Sequence, residues 1–221
     1  MNDDDVDLSR FGPAKRTEPC QLYLISSQEV AGDFPDRLRA ALDGGPVAAF
    51  QLRVKEVDEH ALARLAEPLQ AICAEHDVAF IINDNMALAK RLGADGVHLG
   101  QSDGDPREAR DLLGPGAQIG RTCHDSRHLA MEAGEAGCDY VAFGAFYPTT
   151  TKPSHYRPDP AILGWWSAIA EIPSVAIGGI TPVNAAPLVA AGADFIAVCQ
   201  AVWSMTDPGA AVAQFDRAFT L

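Results

Sequence analysis

The residues best placed for chemistry stand at the ends of short apolar runs. Two such runs, 78–82 and 96–99, flank a helical segment at 86–92. Asn83-Asp84 follows the first run and Gln101-Ser102-Asp103 follows the second. In a parallel strand–helix–strand unit both strands end on the same side, so Asp84 and Asp103 fall near each other on one face. Paired carboxylates with amide oxygens beside them suit a hard cation such as Mg²⁺ carrying phosphate. The competing role for Asp84 is to cap the helix that follows.

Other strand ends carry complementary groups. In Gln51-Leu52-Arg53-Val54-Lys55 the alternation of a strand puts Gln51, Arg53 and Lys55 on one side. Two cations and an amide suit a diphosphate, with Arg53 binding bidentately and Lys55 acting as a point charge. Lys55 is otherwise a solvated loop residue. In Gly120-Arg121-Thr122-Cys123-His124, the Thr122 hydroxyl either donates to phosphate or caps a helix starting near 125. His124 and His128 have the spacing of a helical metal pair, but no glutamate stands between them, and the spacing reads as accidental. Thr149, Thr150, Thr151 and Lys152 place three hydroxyls and an amine in four positions, where backbone N–H groups add donors. The alternative for that stretch is a flexible loop, which is itself compatible with a lid. Gly178-Gly179 precedes a helix and lets the backbone approach a phosphate; its partner stretch is Cys199-Gln200-Ala201. No Ser–His–Asp order or reactive-cysteine setting points to covalent catalysis. Cations, a metal and hydroxyls favour departure of diphosphate instead.

These groups need a scaffold that brings many strand ends together. Apolar runs predict strands at 21–25, 47–53, 78–82, 96–99, 118–120, 140–144, 174–177 and 195–198. Between and after them, helices are expected at 34–42, 58–75, 86–92, 106–113, 125–135, 162–170, 182–191 and 207–219. Leu62, Leu65, Leu69 and Ile72 make one face of the second helix, and Pro68 within it is expected to kink it. Near-continuous apolar strands indicate a parallel sheet with covered faces. Gly93-Ala94-Asp95, Gly137-Cys138-Asp139 and Gly192-Ala193-Asp194 recur at helix-to-strand joints, where glycine ends a helix in the left-handed conformation. The expected fold is α/β, a single (β/α)8 TIM barrel with parallel strands, whose chemistry sits where the strands end. An open doubly wound sheet would want a Gly-rich fingerprint after its first strand, and Ser26-Ser27-Gln28-Glu29 is not one. Residues 1–19 read as a loose N-terminal arm and 20–221 as one catalytic barrel domain.

Composition bounds the partners. The chain has 221 residues and a formal charge of −13, which argues against nucleic acid, whose phosphates need basic stripes. A small phosphorylated substrate needs only a few well-placed cations. No apolar run approaches a membrane span, and the acidic start is unlike the charged front of a signal peptide. Five scattered cysteines without a C-x-x-C pair fit reduced thiols and a cytoplasmic setting. Small-molecule substrates are the expected partners, not nucleic acid or membrane. Assembly into a homo-oligomer is left open.

Taken together, Gln51-Leu52-Arg53-x-Lys55, Asn83-Asp84, the run from Gly93 to Asp103, Gly120-x-Thr122-x-His124, Thr149-x-Thr151-Lys152 and Ala176 to Ile180 resemble the thiamine-phosphate synthase (thiamine-phosphate pyrophosphorylase) family. The motifs recur in order over nearly all of the chain after about residue 20. The resemblance implies a Mg²⁺-assisted transfer of the pyrimidinyl-methyl group from hydroxymethylpyrimidine diphosphate to thiazole phosphate, giving thiamine phosphate and diphosphate. It implies that Gln51, Arg53, Lys55, Asn83, Thr149, Thr151 and Lys152 hold the pyrimidine diphosphate, with Arg53, Lys55, Lys152 and Thr122 acting in catalysis. Asp84 and Asp103 would ligate Mg²⁺. Gly178, Gly179, Cys199 and Gln200 would hold the thiazole phosphate, with His124 nearby. Three departures from the family pattern stand out. Thr122 stands where serine is usual, Ala145 where proline is common, and Cys199-Gln200 where an aliphatic–serine pair is usual. The last bears on thiazole-phosphate affinity more than on diphosphate chemistry. A related thiazole tautomerase, with a histidine matching His124, and a non-catalytic thiamine-precursor binding protein are the competing readings.

Overall fold

The computed structural model describes residues 18–149 and 155–219. Eight parallel strands close into one barrel in chain order: β1 (Gln21–Ile25), β2 (Ala49–Leu52), β3 (Ala79–Asn83), β4 (Gly96–Leu99), β5 (Gln118–His124), β6 (Tyr140–Gly144), β7 (Ser174–Ile177) and β8 (Phe195–Val198). Pairing of Gln21 with Phe195 and of Leu24 with Val198 closes the ring. The helices are α1 (Phe34–Asp43), α2 (Glu59–Glu75), α3 (Met86–Leu92), α4 (Pro106–Leu113), α5 (Arg127–Glu135), α6 (Ala161–Ile169), α7 (Ala186–Ala191), α8 (Gln200–Trp203) and α9 (Pro208–Phe219). The TIM barrel expected from the sequence is therefore the fold. The expected N-terminal arm falls largely on residues 1–17, which lie outside the described residues.

Side-chain alternation divides the core in two. Outward-facing residues such as Leu22, Leu24, Phe50, Phe80, Ile82, Val97, Val141 and Phe143 pack with the helices in one large cluster. Inward-facing Tyr23, Ile25, Ala49, Ile81, Tyr140, Ala142, Val175 and Ala197 form a separate cluster inside the barrel. Both faces of each strand are thus buried, which is why the strands read as unbroken apolar runs.

At the N-terminal end of the barrel the recurring joints do more than end helices. Gly93 and Gly192 cap α3 and α7 in the left-handed conformation. The aspartate two residues later accepts a hydrogen bond from the backbone of the preceding strand. Phe80 N donates to Asp95 Oδ2 at 2.7 Å, Ile119 N to Asp139 Oδ2 at 2.6 Å, and Ser174 N to Asp194 Oδ2 at 2.8 Å. Each carboxylate thereby clips one strand to the next.

Several boundaries differ from expectation by a few residues. β5 runs on to His124, paired with β6 as far as Phe143, and its Arg121 guanidinium donates to Gly104 O (2.7 Å) and Gln101 O (3.3 Å). α7 starts at Ala186, because a turn in which Asn184 Oδ1 accepts from Thr181 N (2.7 Å) uses the residues before it. The short helix α8 was not expected.

Candidate active site

The C-terminal ends of the strands open into a cavity of about 520 Å³. Gln51, Arg53 and Lys55 line it from the end of β2, Asn83 and Asp84 from β3, and Asp103 from the loop after β4. Thr122 and His124 line it from β5 and Thr149 from the loop after β6. Gly178 and Gly179 follow β7, and Cys199 and Gln200 follow β8. Thr151 and Lys152 lie outside the described residues. Residues spread over 150 positions of chain thus share one wall-to-wall space because the barrel brings every strand end to one face.

Asp84 has φ 63, in the left-handed region. Its N–H donates to His98 O (2.8 Å), and Asn83 Nδ2 donates to its Oδ2 (2.6 Å). Lys55 Nζ stands 3.5 Å from the same oxygen. Asp84 does not cap α3: that role belongs to Asn85, whose Oδ1 accepts from Leu88 N at 2.8 Å. The capping alternative for Asp84 is thereby overturned. The Asp103 carboxylate lies over Gly100, where an added Cβ would come within 2.4 Å of Asp103 Oδ2. Burial, and then the Asp103 charge, push the Asp84 carboxyl above its usual range, with Lys55 opposing them.

A divalent cation fits this pair of residues. Two carboxylates held together carry negative charge that a cation would relieve. Among the described residues no cluster of three or more His, Cys, Asp or Glu could hold a metal. A cation there would complete its shell with water, amide oxygens or substrate phosphate, the habit of Mg²⁺ rather than of zinc.

Thr122 points into the barrel, with Oγ1 2.8 Å from His98 Nε2. It does not cap α5, since Ser126 Oγ accepts from Leu129 N (3.2 Å) instead. Strand register shifts between Thr122 and His124. His124 has φ 56 and stacks on Tyr156 with ring centroids 4.1 Å apart. His128 is exposed, faces Glu132 Oε1 at 3.3 Å and does not line the cavity.

The far wall is backbone. Phe146 N donates to Ile177 O (3.1 Å) and Tyr147 N to Gly178 O (3.0 Å), joining the loop after β6 to the glycine turn after β7. Gly179 has φ 65, and a Cβ there would lie 2.3 Å from Pro148 O. Ala145, one of the departures from the family pattern, follows a cis peptide. Beside this wall, Cys199 Sγ donates to Ser26 O at 3.3 Å.

His98, His155 and Tyr156 also line the cavity and were not singled out in the sequence. His98 had a usable signal: a polar residue at an inward position of the otherwise apolar strand Gly96–Leu99. Tyr156 had none, because its place depends on how a long loop returns.

A protein-family model described as "Thiamine monophosphate synthase" matches residues 22–202. The chain belongs to this family. A thiamine-phosphate synthase of Erythrobacter litoralis is 65% identical over 201 residues, covering 89% of this chain and 94% of the relative. One from Rhodospirillum centenum is 54% identical over 200 residues, covering 90% and 97%. Among solved structures, the thiamine phosphate pyrophosphorylase of Pyrococcus furiosus superposes with a TM-score of 0.80 at 30% identity, over 90% of this chain and 95% of that one. The thiamine monophosphate synthase match takes in the strand ends that build the cavity, from β1 into α8.

Proposed function

We propose that this protein is a transferase that joins hydroxymethylpyrimidine diphosphate to thiazole phosphate, giving thiamine phosphate and diphosphate. One observation carries the reading. Arg53, Lys55 and the facing carboxyl groups of Asp84 and Asp103 share a cavity with the Gly178-Gly179 turn. One end is built for a metal-bound diphosphate and the other for a phosphate held by backbone.

Asp84 and Asp103 would hold Mg²⁺, which when bound supplies positive charge beside the diphosphate. Arg53 and Lys55, with Lys152, Thr149 and Thr151, stabilise the charge that grows as the bond from the methylene carbon to the diphosphate oxygen breaks. The bonding pair leaves on oxygen, and the aminopyrimidine stabilises the methylene cation. The thiazole nitrogen then forms the new C–N bond with its own lone pair, so no enzyme nucleophile or strong base is required. Gln51 and Asn83 orient the pyrimidine, and Thr122 donates to it or to the diphosphate. Gly178, Gly179, Cys199 and Gln200 hold the thiazole phosphate, with His124 at the cavity wall.

Residues 20–221 are its one catalytic domain in this reading. No helix among the described residues is long and apolar enough to cross a membrane, and no disulfide joins the described cysteines. Both support a cytoplasmic setting.

The test is direct. Purified protein with Mg²⁺ and both substrates is expected to form thiamine phosphate. Tight binding of both ligands without product would sink the transferase and leave a binding protein. Conversion of thiazole phosphate alone would favour a tautomerase, the reading that His124 on the cavity wall supports.

A further inference from the structure

Beneath the cavity, five side chains from five strands form one hydrogen-bonded chain. Gln51 Nε2 donates to Tyr23 Oη (3.1 Å), and Tyr23 Oη lies 3.0 Å from Tyr140 Oη. Tyr140 Oη is 3.1 Å from His98 Nδ1, and His98 Nε2 is 2.8 Å from Thr122 Oγ1. Gln51, Tyr23 and Tyr140 are 3%, 4% and 7% exposed. Gln51, His98 and Thr122 line the cavity, whereas Tyr23 and Tyr140 do not. The sequence makes room for the chain at Gly120, where a Cβ would come within 2.0 Å of the Tyr140 ring.

Proton counting leaves such a chain two senses. A tyrosine hydroxyl and a neutral imidazole each have one proton to give along it. In the first sense Gln51 gives to Tyr23, Tyr23 to Tyr140, Tyr140 to His98 Nδ1, and His98 Nε2–H to Thr122. The Thr122 proton is then available to the cavity, and Gln51 presents its Oε1. In the second sense Thr122 spends its proton on His98, and the Gln51 amide must turn to accept from Tyr23. Burial raises the pKa of both tyrosines, so each stays a neutral single-proton donor. An anion beside Thr122 needs a donor, and an amino group beside Gln51 needs an acceptor. Only the first sense supplies both.

We propose that Tyr23, Tyr140 and His98 are positioning residues, which fix the Thr122 hydroxyl and the Gln51 amide in one sense and so couple recognition of the anion to recognition of the pyrimidine. The proposal rests on the reading of the site as a pyrimidine-diphosphate transferase.

The test is a double-mutant cycle on kcat. Tyr140→Phe leaves the cavity wall unchanged and is expected to lower kcat about tenfold, the order of one buried hydrogen bond. The KM for thiazole phosphate should stay as in the wild type. In a Thr122→Ala background the same substitution should cost clearly less than in the wild type, because only the Gln51 end of the chain remains to be held. An equal loss in both backgrounds, or no loss in the wild type, overturns the proposal. Product formation by the wild type tests the functional reading separately. If the wild type makes no product, or Tyr140→Phe does not fold, ¹⁵N spectra of His98 in the unaltered protein decide. With Mg²⁺ and inorganic diphosphate present, the neutral Nε2–H tautomer is expected, and the Nδ1–H tautomer overturns the chain.

Discussion

Asp84, just past β3, and Asp103, in the loop after the neighbouring β4, line one cavity, and the Asp103 charge adds to burial in pushing the Asp84 carboxyl above its usual range. Their mutual repulsion is a standing cost of the site when no cation neutralises it. Replacing one member should therefore help the fold and harm the chemistry. Asp84→Asn is expected to raise the melting midpoint of metal-free protein by roughly 2–4 °C. It should lower turnover about 10²-fold or more. Melts with and without MgCl₂ check it: the wild type should gain stability from the metal and the variant should not.

Gly179 is tied to its neighbour by space and backbone angle together. At φ 65, with Pro148 O 2.3 Å from any Cβ, Gly179→Ala must push the loop after β6 aside. The KM for thiazole phosphate is expected to rise about tenfold or more, with a smaller change for the pyrimidine diphosphate. Steady-state kinetics with each substrate varied in turn separate the two.

The strand clips at the opposite end should affect folding alone. Asp139 Oδ2 accepts from Ile119 N and from Arg110 Nη2, both at 2.6 Å. Arg110 in turn donates to Ala117 O (2.6 Å) and Gly137 O (3.1 Å). Asp139→Ala leaves these donors short of an acceptor and is expected to cost about 2–3 kcal/mol. Urea unfolding should show the loss while kcat and KM stay put.

His76 gives stability a pH dependence of known sign. Its Nδ1 meets Ile72 O (2.8 Å) and its Nε2 meets Asp43 Oδ1 (3.0 Å). The Ile72 carbonyl first, and then Asp43, raise its pKa above the ordinary value of 6.5. A raised histidine stabilises the fold fully below the unfolded-state value, and the contribution is lost as pH rises through the folded-state value. His76→Gln should therefore lower the melting midpoint at pH about 5.5 and leave it unchanged at pH about 8.5.

The legible part of this chain was whatever one strand or one helix determines by itself. The strands announced themselves because both faces are buried, and Gln51, Arg53 and Lys55 stood out as polar residues against that background. What a side chain meets across the barrel is set only by closure. Tyr23 and Tyr140, 117 positions apart, read as ordinary core residues and meet at their hydroxyls. Asp95, Asp139 and Asp194 drew notice for the glycines beside them, but their carboxylates act on another strand's backbone. Thr122 and Asp84 each had a capping alternative that local sequence could not remove. Ser126 and Asn85 removed it by taking the caps themselves.

The seam between the loop after β6 and the glycine turn after β7 has one more consequence. Tyr147 Oη donates to Asn184 O (2.9 Å), and Asn184 Nδ2 donates to Gly179 O (3.1 Å), so side chains reinforce the backbone joint. On the proposed reading, the glycine turn offered to the thiazole phosphate is thus tied to the segment that leads to Thr149, offered to the other ligand. A ligand that restrains this joint would lower the entropy cost of binding the second. Linkage would make that benefit mutual: each ligand would tighten the other's binding by the same factor, whichever arrives first.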